Sequence, residues 1–371
     1  MATTVETKIL IISDTHGLSF SRDATPKERF DVAIHCGDLT DHSKVDEYEE
    51  TLKLLHKINA PLKLVIAGNH DFSLDSSALH NMIAEANQRY EEPLDSSLVN
   101  KEFGGDGKIR EMFQKARSSG VRFLDEGTYQ FTLQNEGVLK VYASPYIPGT
   151  EAWAFQFAGA HDFNIEKGTD IAITHGPPHG IFDISGDKKR IGCPQLFRAV
   201  AKSQPKIHCF GHVHGGWGAK LVAWRKQIPE TPTHMSAIDN ASSVVLENLG
   251  RHNEPEDIMR ARKERFEQYR SQGYCGTSHG MGDEHPLKAG YTLFVNAAIE
   301  DGGTLARPPW LVQVDLETAK LGDLAGTLHE NTVHPANTQS AFAPLGSGKS
   351  AKRKYGSDST TEKTYKNLRL E

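Results

Sequence analysis

The sequence predicts a layered α/β fold. Its 371 residues are 37% hydrophobic and 24% charged, which is the mixture of ordinary globular proteins. Short apolar runs recur along the chain, and each ends in polar or glycine-rich residues. A helical pattern lies between the second and third runs, in the order of a βαβ unit with a parallel crossover. These patterns fit one sheet, or two sheets packed face to face.

The predicted strands each carry four to six β-prone or apolar residues in a row, as strands do when both of their faces are buried. They lie within residues 8–17, 31–41, 62–71, 139–146, 170–178 and 206–216, with two more at 291–298 and 310–316.

The spacing of apolar residues predicts one helix over 43–58 and another over 194–203. Ser43, followed by Asp46 three residues later, resembles a capping box at the start of the first helix.

The domain organisation follows from the distribution of charge. We expect a single domain over residues 5–330, in which residues 217–290 form a charged insertion with one exposed helix after Pro255. The insertion is either a solvated surface excursion or a lid over the active site. Residues 338–371 are poor in large apolar side chains and predict a disordered basic tail.

The net charge of −6 argues against nucleic acid and anionic membranes as partners. No apolar run is long enough to cross a bilayer, and the start of the chain lacks the pattern of a signal peptide. Four scattered cysteines are typical of a reducing compartment. We therefore expect a cytoplasmic protein, with the nucleus as the alternative if the basic cluster of Lys349, Lys352, Arg353 and Lys354 is a localisation signal.

Polar side chains stand at the ends of five of the predicted strands. They are Asp14, His16, Asp38, Asn69, His70, Asp71, His175, His212 and His214. Because ligands of open α/β sheets bind outside the carboxyl ends of the strands, we expect these groups at one edge. Gly37, Gly68, Gly176 and Gly211 lie beside them and would let the backbone approach closely.

Without His70 and Asp71, the set holds two aspartates, one asparagine and four histidines. Imidazole and carboxylate donors without thiolate favour Mn, Fe or Zn. Seven donors exceed what one tetrahedral ion needs. They suit two divalent or mixed-valence ions ~3.5–4 Å apart that share a carboxylate.

Five motifs in order carry a family resemblance: Asp14-Thr-His16, Gly37-Asp38, Gly68-Asn69-His70-Asp71, Thr174-His175-Gly176 and Gly211-His212-Val213-His214. Together they resemble the calcineurin-like metallophosphoesterase superfamily. Residues 144–155, 174–183, 191–196 and 208–218 resemble in particular the metallophosphoesterase-domain-containing phosphodiesterase family known from animal brain. The resemblance implies a layered β-sandwich flanked by helices.

The resemblance also implies how the metal ligands divide. Asp14, His16 and His214 would hold one ion. Asn69, His175 and His212 would hold the other, and Asp38 would bridge both. Some animal members of the smaller family carry glycine at the position of His212, which is linked there to weak activity, so the histidine here implies a complete site.

Two cations lower the pKa of a shared water, so that hydroxide is available near neutral pH to attack phosphorus in line. His70 follows a ligand directly and is the candidate acid that protonates the departing alkoxide. Asp71 either orients His70 or caps the turn. We expect His35 and His208, inside strands, to be core residues or to support the ligands. His179 is either a surface histidine or a contact to substrate.

We therefore expect a binuclear metal-dependent phosphoesterase that hydrolyses phosphodiesters or phosphomonoesters of small molecules, with cyclic nucleotides among the substrates that the resemblance implies. Protein partners are unknown. A competing hypothesis is an enzyme like the protein Ser/Thr phosphatases, but Ala67 stands where they place an arginine before Gly68, and no arginine follows Asp38 in LTDHSK. Two more hypotheses are a DNA-repair nuclease, which would need a basic face, and a nucleotide-binding pseudo-enzyme.

Overall fold

The computed structural model describes residues 3–21, 24–89, 94–105, 107–151, 153–250, 254–319 and 331–335. Its strands, numbered in chain order, form two main sheets. The first sheet has six strands, in the spatial order β13 (Cys275–Ser278), β15 (Trp310–Glu317), β1 (Thr4–Ile12), β2 (Val32–His35), β3 (Leu62–Val65) and β4 (Val121–Phe123). From β1 to β4 neighbouring strands are parallel, whereas β1 and β15 are antiparallel.

The second sheet has eight strands. Their order is β12 (Ile238–Asn248), β11 (Gly218–Trp224), β14 (Tyr291–Asn296), β10 (Ile207–Phe210), β9 (Ile171–Thr174), β6 (Val138–Ser144), β5 (Gly127–Thr132) and β16 (Asn331–Pro335). The four central strands β14, β10, β9 and β6 are parallel, and the outer pairs are antiparallel. A short pair, β7 (Ile147–Pro148) and β8 (Gln156–Phe157), lies apart from both sheets.

Strand β1 shows how a strand of the first sheet is buried on both of its faces. Ile9 and Ile11 pack into the core between the sheets, and Leu10 and Ile12 pack into the core on the opposite face, under the helices. All four side chains are fully buried. Because alternate side chains of a strand point to opposite faces, a continuous apolar run is what a strand between two cores requires.

The described residues form seven α-helices, of which the first five cover the outer faces of the two sheets. They are α1 (Val45–Lys57), α2 (Ser76–Arg89), α3 (Ser96–Phe103), α4 (Lys108–Ala116), α5 (Pro194–Ser203), α6 (His234–Ala237) and α7 (Glu256–Gln272). The first four pack on the first sheet and α5 packs on the second. The predicted β-sandwich flanked by helices is therefore confirmed. Among the described residues, no helix is long and apolar enough to span a membrane.

The predicted capping box of Ser43 and Asp46 is wrong by one residue. Helix α1 begins at Val45, and Lys44 is its N-cap. The Glu47 carboxylate accepts the backbone N–H groups of Lys44 and His42, at 2.9 and 3.0 Å. A carboxylate in the first turn satisfies the free N–H groups there, which is the role that a capping box fills.

The range 217–290, predicted as a charged insertion, is only in part a surface excursion. Strand β11 lies inside the second sheet, between β12 and β14. Strand β13 extends the first sheet beside β15. Only α7 fits the prediction, because none of its residues is fully buried and it follows Pro255. The predicted basic tail at 338–371 lies outside the described residues.

Candidate metal centre

The seven predicted ligands follow the carboxyl ends of five parallel strands. Asp14 and His16 follow β1, Asp38 follows β2, and Asn69 follows β3. In the second sheet, His175 follows β9, and His212 and His214 follow β10. The two sheets bring these side chains together at one end of the sandwich, in two groups of donor atoms.

Asp14, His16 and His214 form the first group. The Nε2 atom of His214 lies 3.3 Å from Oδ1 of Asp14 and 3.3 Å from Nε2 of His16. One donor atom from each residue lies within 4.8 Å of the others. Three donors this close can bind one ion.

Asp38, His175 and His212 form the second group, again with donor atoms within 4.8 Å of one another. Nε2 of His175 lies 3.3 Å from Oδ2 of Asp38 and 2.9 Å from Oδ1 of Asn69. The amide oxygen of Asn69 and Nε2 of His175 are therefore close enough to bind the same ion.

Asp38 lies between the two groups. Its Oδ2 is 3.3 Å from Nε2 of His175 and 4.0 Å from Nε2 of His16. Its Oδ1 accepts the backbone N–H of His70 at 2.9 Å, which fixes the orientation of the carboxylate. A carboxylate in this position can bind two neighbouring ions at once.

Three of the histidines are held by their Nδ1 atoms. Nδ1 of His175 is 3.0 Å from the carbonyl oxygen of Cys36, and Nδ1 of His16 is 3.1 Å from that of Thr40. Nδ1 of His214 is 2.7 Å from Oε2 of Glu300. When Nδ1 donates to an oxygen, Nε2 is the atom left to bind a metal.

Four of the seven residues adopt backbone conformations that side chains rarely take. The φ angles of Asp14, His16, Asp38 and His212 are 56°, 47°, 52° and 65°. Such a conformation costs about 1–3 kcal/mol per residue and persists where the surroundings enforce it. Here the backbone N–H of His212 donates to both carboxylate oxygens of Asp14, at 2.9 and 3.0 Å. A Cβ atom on Gly211 would lie 2.0 Å from Oδ2 of Asp14, so glycine is required there.

Burial and neighbouring charges shift the pKa values of the ionisable side chains at the candidate metal centre. Burial raises the pKa of the Asp14 carboxyl, but His214 and His175 outweigh it and hold the pKa below its usual range. Burial lowers the pKa of His175, but Asp38 and Asp14 raise it to about 9. Burial alone dominates at His212 and lowers its pKa to about 4. Charges that favour a protonated imidazole also favour a bound cation, so this edge attracts divalent metal ions.

His70 lies at the rim of the site. Its Nδ1 is 2.8 Å from the carbonyl oxygen of Asp41, and its ring centroid is 4.9 Å from that of His16 and 4.6 Å from that of Trp153. His16, Asp38 and His70 also have donor atoms within 4.8 Å of one another. The ring thus faces the place where both groups meet.

Of the two roles left open for Asp71, orienting His70 or capping the turn, the contacts of its carboxylate favour the second and not the catalytic one. Its carboxylate is fully buried. It accepts the backbone N–H groups of Leu39, Thr40 and Gly68 at 3.1, 3.1 and 2.7 Å, and the Thr40 hydroxyl at 2.8 Å. Asp71 therefore joins the loop of Asp38 to the loop of Asn69. Short acidic residues are the usual acceptors in such turns, which is why the sequence allowed both roles.

His35 and His208 are buried inside their strands, as predicted. Their Nε2 atoms lie 2.8 Å from the Thr15 hydroxyl and 2.9 Å from the Thr174 hydroxyl. His179 instead lies near Asp183, with 3.7 Å between Nδ1 and Oδ2, and it does not line either cavity at the metal centre.

Two cavities meet at the candidate metal centre. One, of about 350 Å³, is lined by residues of both metal-binding groups and by five further residues: Leu18, Asp41, His70, Glu300 and Gly303. The other, of about 330 Å³, extends from Asn69 and His212 to Ile147, Trp153 and Ile191. Asn69 and His212 line both cavities, so a molecule at the metal centre can extend in two directions.

Sequence reasoning missed Glu300 and Arg307. Glu300 holds His214, and the Arg307 guanidinium donates through Nη1 to the carbonyl oxygens of His214 and Glu300, at 2.7 and 2.9 Å. The sequence did indicate a position for Glu300 near the site, because VNAAIE places it soon after a predicted strand. The glutamate lies four residues past the end of β14, as far as Asn69 and His214 lie from the ends of β3 and β10, so the strand-end rule could have included it.

Residues 7–216 match the family model of calcineurin-like phosphoesterases. The chain is 30% identical over 219 residues to metallophosphoesterase domain-containing protein 1 of Homo sapiens and of Mus musculus, and the alignment covers 57% of this chain and 62% of each relative. It is 29% identical over 222 residues to a protein of Emericella nidulans named probable rhamnogalacturonate lyase C, across 58% of this chain and 18% of that protein. The chain thus spans less than two thirds of the human and mouse relatives. Because the family match covers more than half of the chain and includes all seven predicted ligands, the chain belongs to the calcineurin-like phosphoesterase family.

Proposed function

We propose that this protein is a phosphoesterase that depends on two divalent metal ions and hydrolyses phosphodiester or phosphomonoester bonds of small molecules. The position of Asp38 carries the proposal. One oxygen of this carboxylate lies near His16 of the first group and near His175 of the second. A single ion would need neither the second group nor the shared carboxylate.

The donors fit divalent ions of the Mn, Fe or Zn type, because they are imidazole nitrogens and carboxylate or amide oxygens. Asp14, His16 and His214 would hold one ion, Asn69, His175 and His212 the other, and Asp38 both. Ions bound there would activate water for attack on phosphorus and neutralise charge on the phosphate oxygens.

His70 is the residue proposed to protonate the leaving alkoxide. The carbonyl oxygen of Asp41 holds Nδ1, which leaves Nε2 free to exchange a proton with the substrate. The side chain is 19% exposed, so substrate and solvent can both reach the ring. A proton donor must come within hydrogen-bond distance of the leaving oxygen, and a rim position beside both groups satisfies that requirement.

We further propose that diesters are preferred to monoesters. A diester carries two substituents on phosphorus, and the two cavities that meet at Asn69 and His212 provide a separate space for each. The described residues that line these cavities include neither lysine nor arginine, the residues that usually clamp the second charge of a monoester. Cyclic nucleotides belong to the small diesters that this site could take.

The test compares hydrolysis of bis-p-nitrophenyl phosphate and p-nitrophenyl phosphate after reconstitution with manganese, with the metal content measured on the same samples. We expect faster diester hydrolysis by the wild type. His212→Ala should lose both activity and bound manganese, whereas His70→Ala should lose activity and keep the metal. His80→Ala, on an exposed position of α2, is the matched control.

Each contrary outcome changes the conclusion. Hydrolysis of the monoester alone would contradict the diester preference and indicate a phosphatase. No turnover of either ester, with two manganese ions bound per chain, would favour a nucleotide-binding pseudo-enzyme. Full activity of His212→Ala would contradict the assignment of the second group.

A further inference from the structure

A third cavity, lined by several cationic side chains, lies beside the residues that follow Glu300. Its volume is about 410 Å³, within the range of about 300–1,000 Å³ typical of small-molecule sites. It lies between helix α7 and residues 301–307 and is lined by Leu249, Met259, Arg262, Lys263, Phe266, Arg270, Asp301, Ala306 and Arg307. We call it the basic cavity.

The basic cavity is lined by more cationic side chains than the nearby carboxylates neutralise. Arg307 pairs with Asp301 at 3.2 Å, and Arg262 pairs with Glu254. Within the described parts of the chain, Lys263 and Arg270 form no ion pair with a carboxylate. Two uncompensated cations in one cavity are notable in a chain whose net charge is −6, and they favour an anionic ligand.

The cations occupy one face of α7. Met259, Arg262, Lys263, Phe266 and Arg270 follow one another at spacings of three, one, three and four residues, so they share one side of the helix. Phe266 anchors this side, since its ring lies 5.2 Å from that of the buried Trp217. Apolar and cationic side chains therefore line the same wall.

Arg307 is held in place before any ligand binds. Its side chain is 9% exposed, and its Nη1 donates to the carbonyl oxygens of His214 and Glu300. A guanidinium fixed by the fold loses little conformational freedom when it meets an anion. In contrast, the described residues that line the two cavities at the metal centre include no lysine or arginine.

We propose that the basic cavity binds a small organic anion, with a phosphate or carboxylate group on Lys263, Arg270 and Arg307 and an apolar body against Leu249, Met259 and Phe266. This site is separate from the metal centre and does not depend on the proposed hydrolysis. Guanidinium and ammonium groups bind phosphate and carboxylate alike, so the chemistry common to both is an anionic head on an apolar body.

The experiment is calorimetric titration of the full chain, metal-free and manganese-loaded, with n-octyl phosphate, octanoate and inorganic phosphate. We expect one organic anion to bind per chain in the metal-free protein. In the manganese-loaded protein the metal centre is a further site for octyl phosphate, and the test variant described below separates binding at the basic cavity from binding there. The tighter of the two organic probes identifies the preferred head group. Inorganic phosphate should bind at least about tenfold more weakly than octyl phosphate, because it lacks the apolar body.

The test variant is Lys263→Gln with Arg270→Gln, and the control is Arg260→Gln with Lys202→Gln, which removes the same charge from exposed positions elsewhere. The test variant should weaken binding of the organic anions at least about tenfold, because it removes two charged contacts to the anionic head group. The control should bind like the wild type. All four positions are exposed, so both variants should fold.

Three results would overturn the proposal. These are no saturable binding of either organic anion, unchanged binding by the test variant, and equal weakening in test and control variants, which would indicate net charge alone. Inorganic phosphate that binds as tightly as octyl phosphate would overturn the role of the apolar wall.

Discussion

Glu300 links the loop after β14 to the candidate metal centre through one contact. Its carboxylate lies 2.7 Å from Nδ1 of His214, and its other oxygen accepts the backbone N–H of Gly303 at 2.6 Å. A carboxylate behind a ligating histidine fixes the ring and makes it a better donor. Glu300 is thus a positioning residue for His214.

Glu300→Gln should weaken manganese binding at the group of Asp14, His16 and His214 by about 10–100-fold. Equilibrium dialysis with elemental analysis measures the binding of each ion. At manganese concentrations that fill both groups of the wild type, the variant should retain close to one ion per chain. Glu284→Gln removes the same charge from a side chain that is 91% exposed and should retain two. If both variants bind alike, Glu300 does not position His214.

His208 makes stability depend on pH. Burial lowers its pKa from 6.5 to about 3, so between these values the unfolded chain takes up a proton that the folded chain does not. The free energy of unfolding therefore falls as the pH falls below 6.5, by about 1.4 kcal/mol per pH unit for this residue.

His208→Gln should remove this contribution. Between about pH 7 and pH 5 the wild type should lose about 2 kcal/mol more stability than the variant, which urea unfolding at both pH values would measure. Phe294→Leu is the non-titrating control, because its ring lies 5.5 Å from that of His208; it should lower stability equally at both pH values. Parallel curves for the wild type and His208→Gln would contradict the expectation.

At the scale of single residues, the sequence predicted which side chains lie together at the candidate metal centre, but not the role of each one. Every ligand candidate follows an apolar run, so one topological rule placed all seven at one edge. Asp71 follows the same rule and yet serves as a buried acceptor. Its role depends on where the backbone N–H groups of a loop thirty residues away point, which no local pattern encodes.

At the scale of elements, α7 is a helix held by few contacts. It has no fully buried side chain. Phe266 and Tyr269 are half-buried and pack against the core between the sheets, where Phe266 meets Trp217, which itself stacks on Trp310 at 4.7 Å. The helix therefore covers an aromatic part of the core that would otherwise face solvent.

Phe266→Ala should lower the free energy of unfolding by about 2 kcal/mol, since it removes a half-buried ring that packs against Trp217. The measurement is urea unfolding followed by tryptophan fluorescence, which also reports increased exposure of Trp217. Ile258→Ala, on the same helix at 46% exposure, should change stability by less than about 0.5 kcal/mol. Equal effects of the two substitutions would show that Phe266 does not anchor α7.

Among the elements that the sequence analysis did not predict are helices α2, α3 and α4 and strand β11, which lies inside the second sheet; two more are the edge strand β12 and the short strand β13. Strand β12 is largely exposed and contains the polar run DNASS. An edge strand pairs on one side and can face solvent, so it needs no apolar run. Strand β13 has four residues and two small side chains. The local sequence of either strand does not distinguish it from a loop. Because the charged helix α7 lies between them, the whole range 217–290 resembled an insertion.

At the scale of the whole molecule, the site exists because two sheets end at the same place. Asp38, on the first sheet, meets His175, on the second, while Nδ1 of His175 returns to the carbonyl oxygen of Cys36 on the first. The backbone N–H of His212 likewise reaches from the second sheet to Asp14 on the first. Ions bound here would therefore join the two sheets, and metal binding should stabilise the entire fold.

Manganese at about 100 times its dissociation constant should raise the free energy of unfolding by about 2.7 kcal/mol for each ion bound only by the folded state. Thermal unfolding with and without manganese measures the gain in stability.

The variants assign this gain to the two ions. His16→Ala should lose the stabilisation contributed by the ion of the first group, and His175→Ala should lose that contributed by the ion of the second. Asp38→Asn should lose most of both, because this carboxylate serves each group. Glu284→Gln removes a charge from a side chain that is 91% exposed and does not line the metal centre, so it should keep the full gain. If Asp38→Asn keeps as much stabilisation as His16→Ala or His175→Ala, Asp38 belongs to one group only, and the two-ion site would have to be rebuilt without a shared carboxylate.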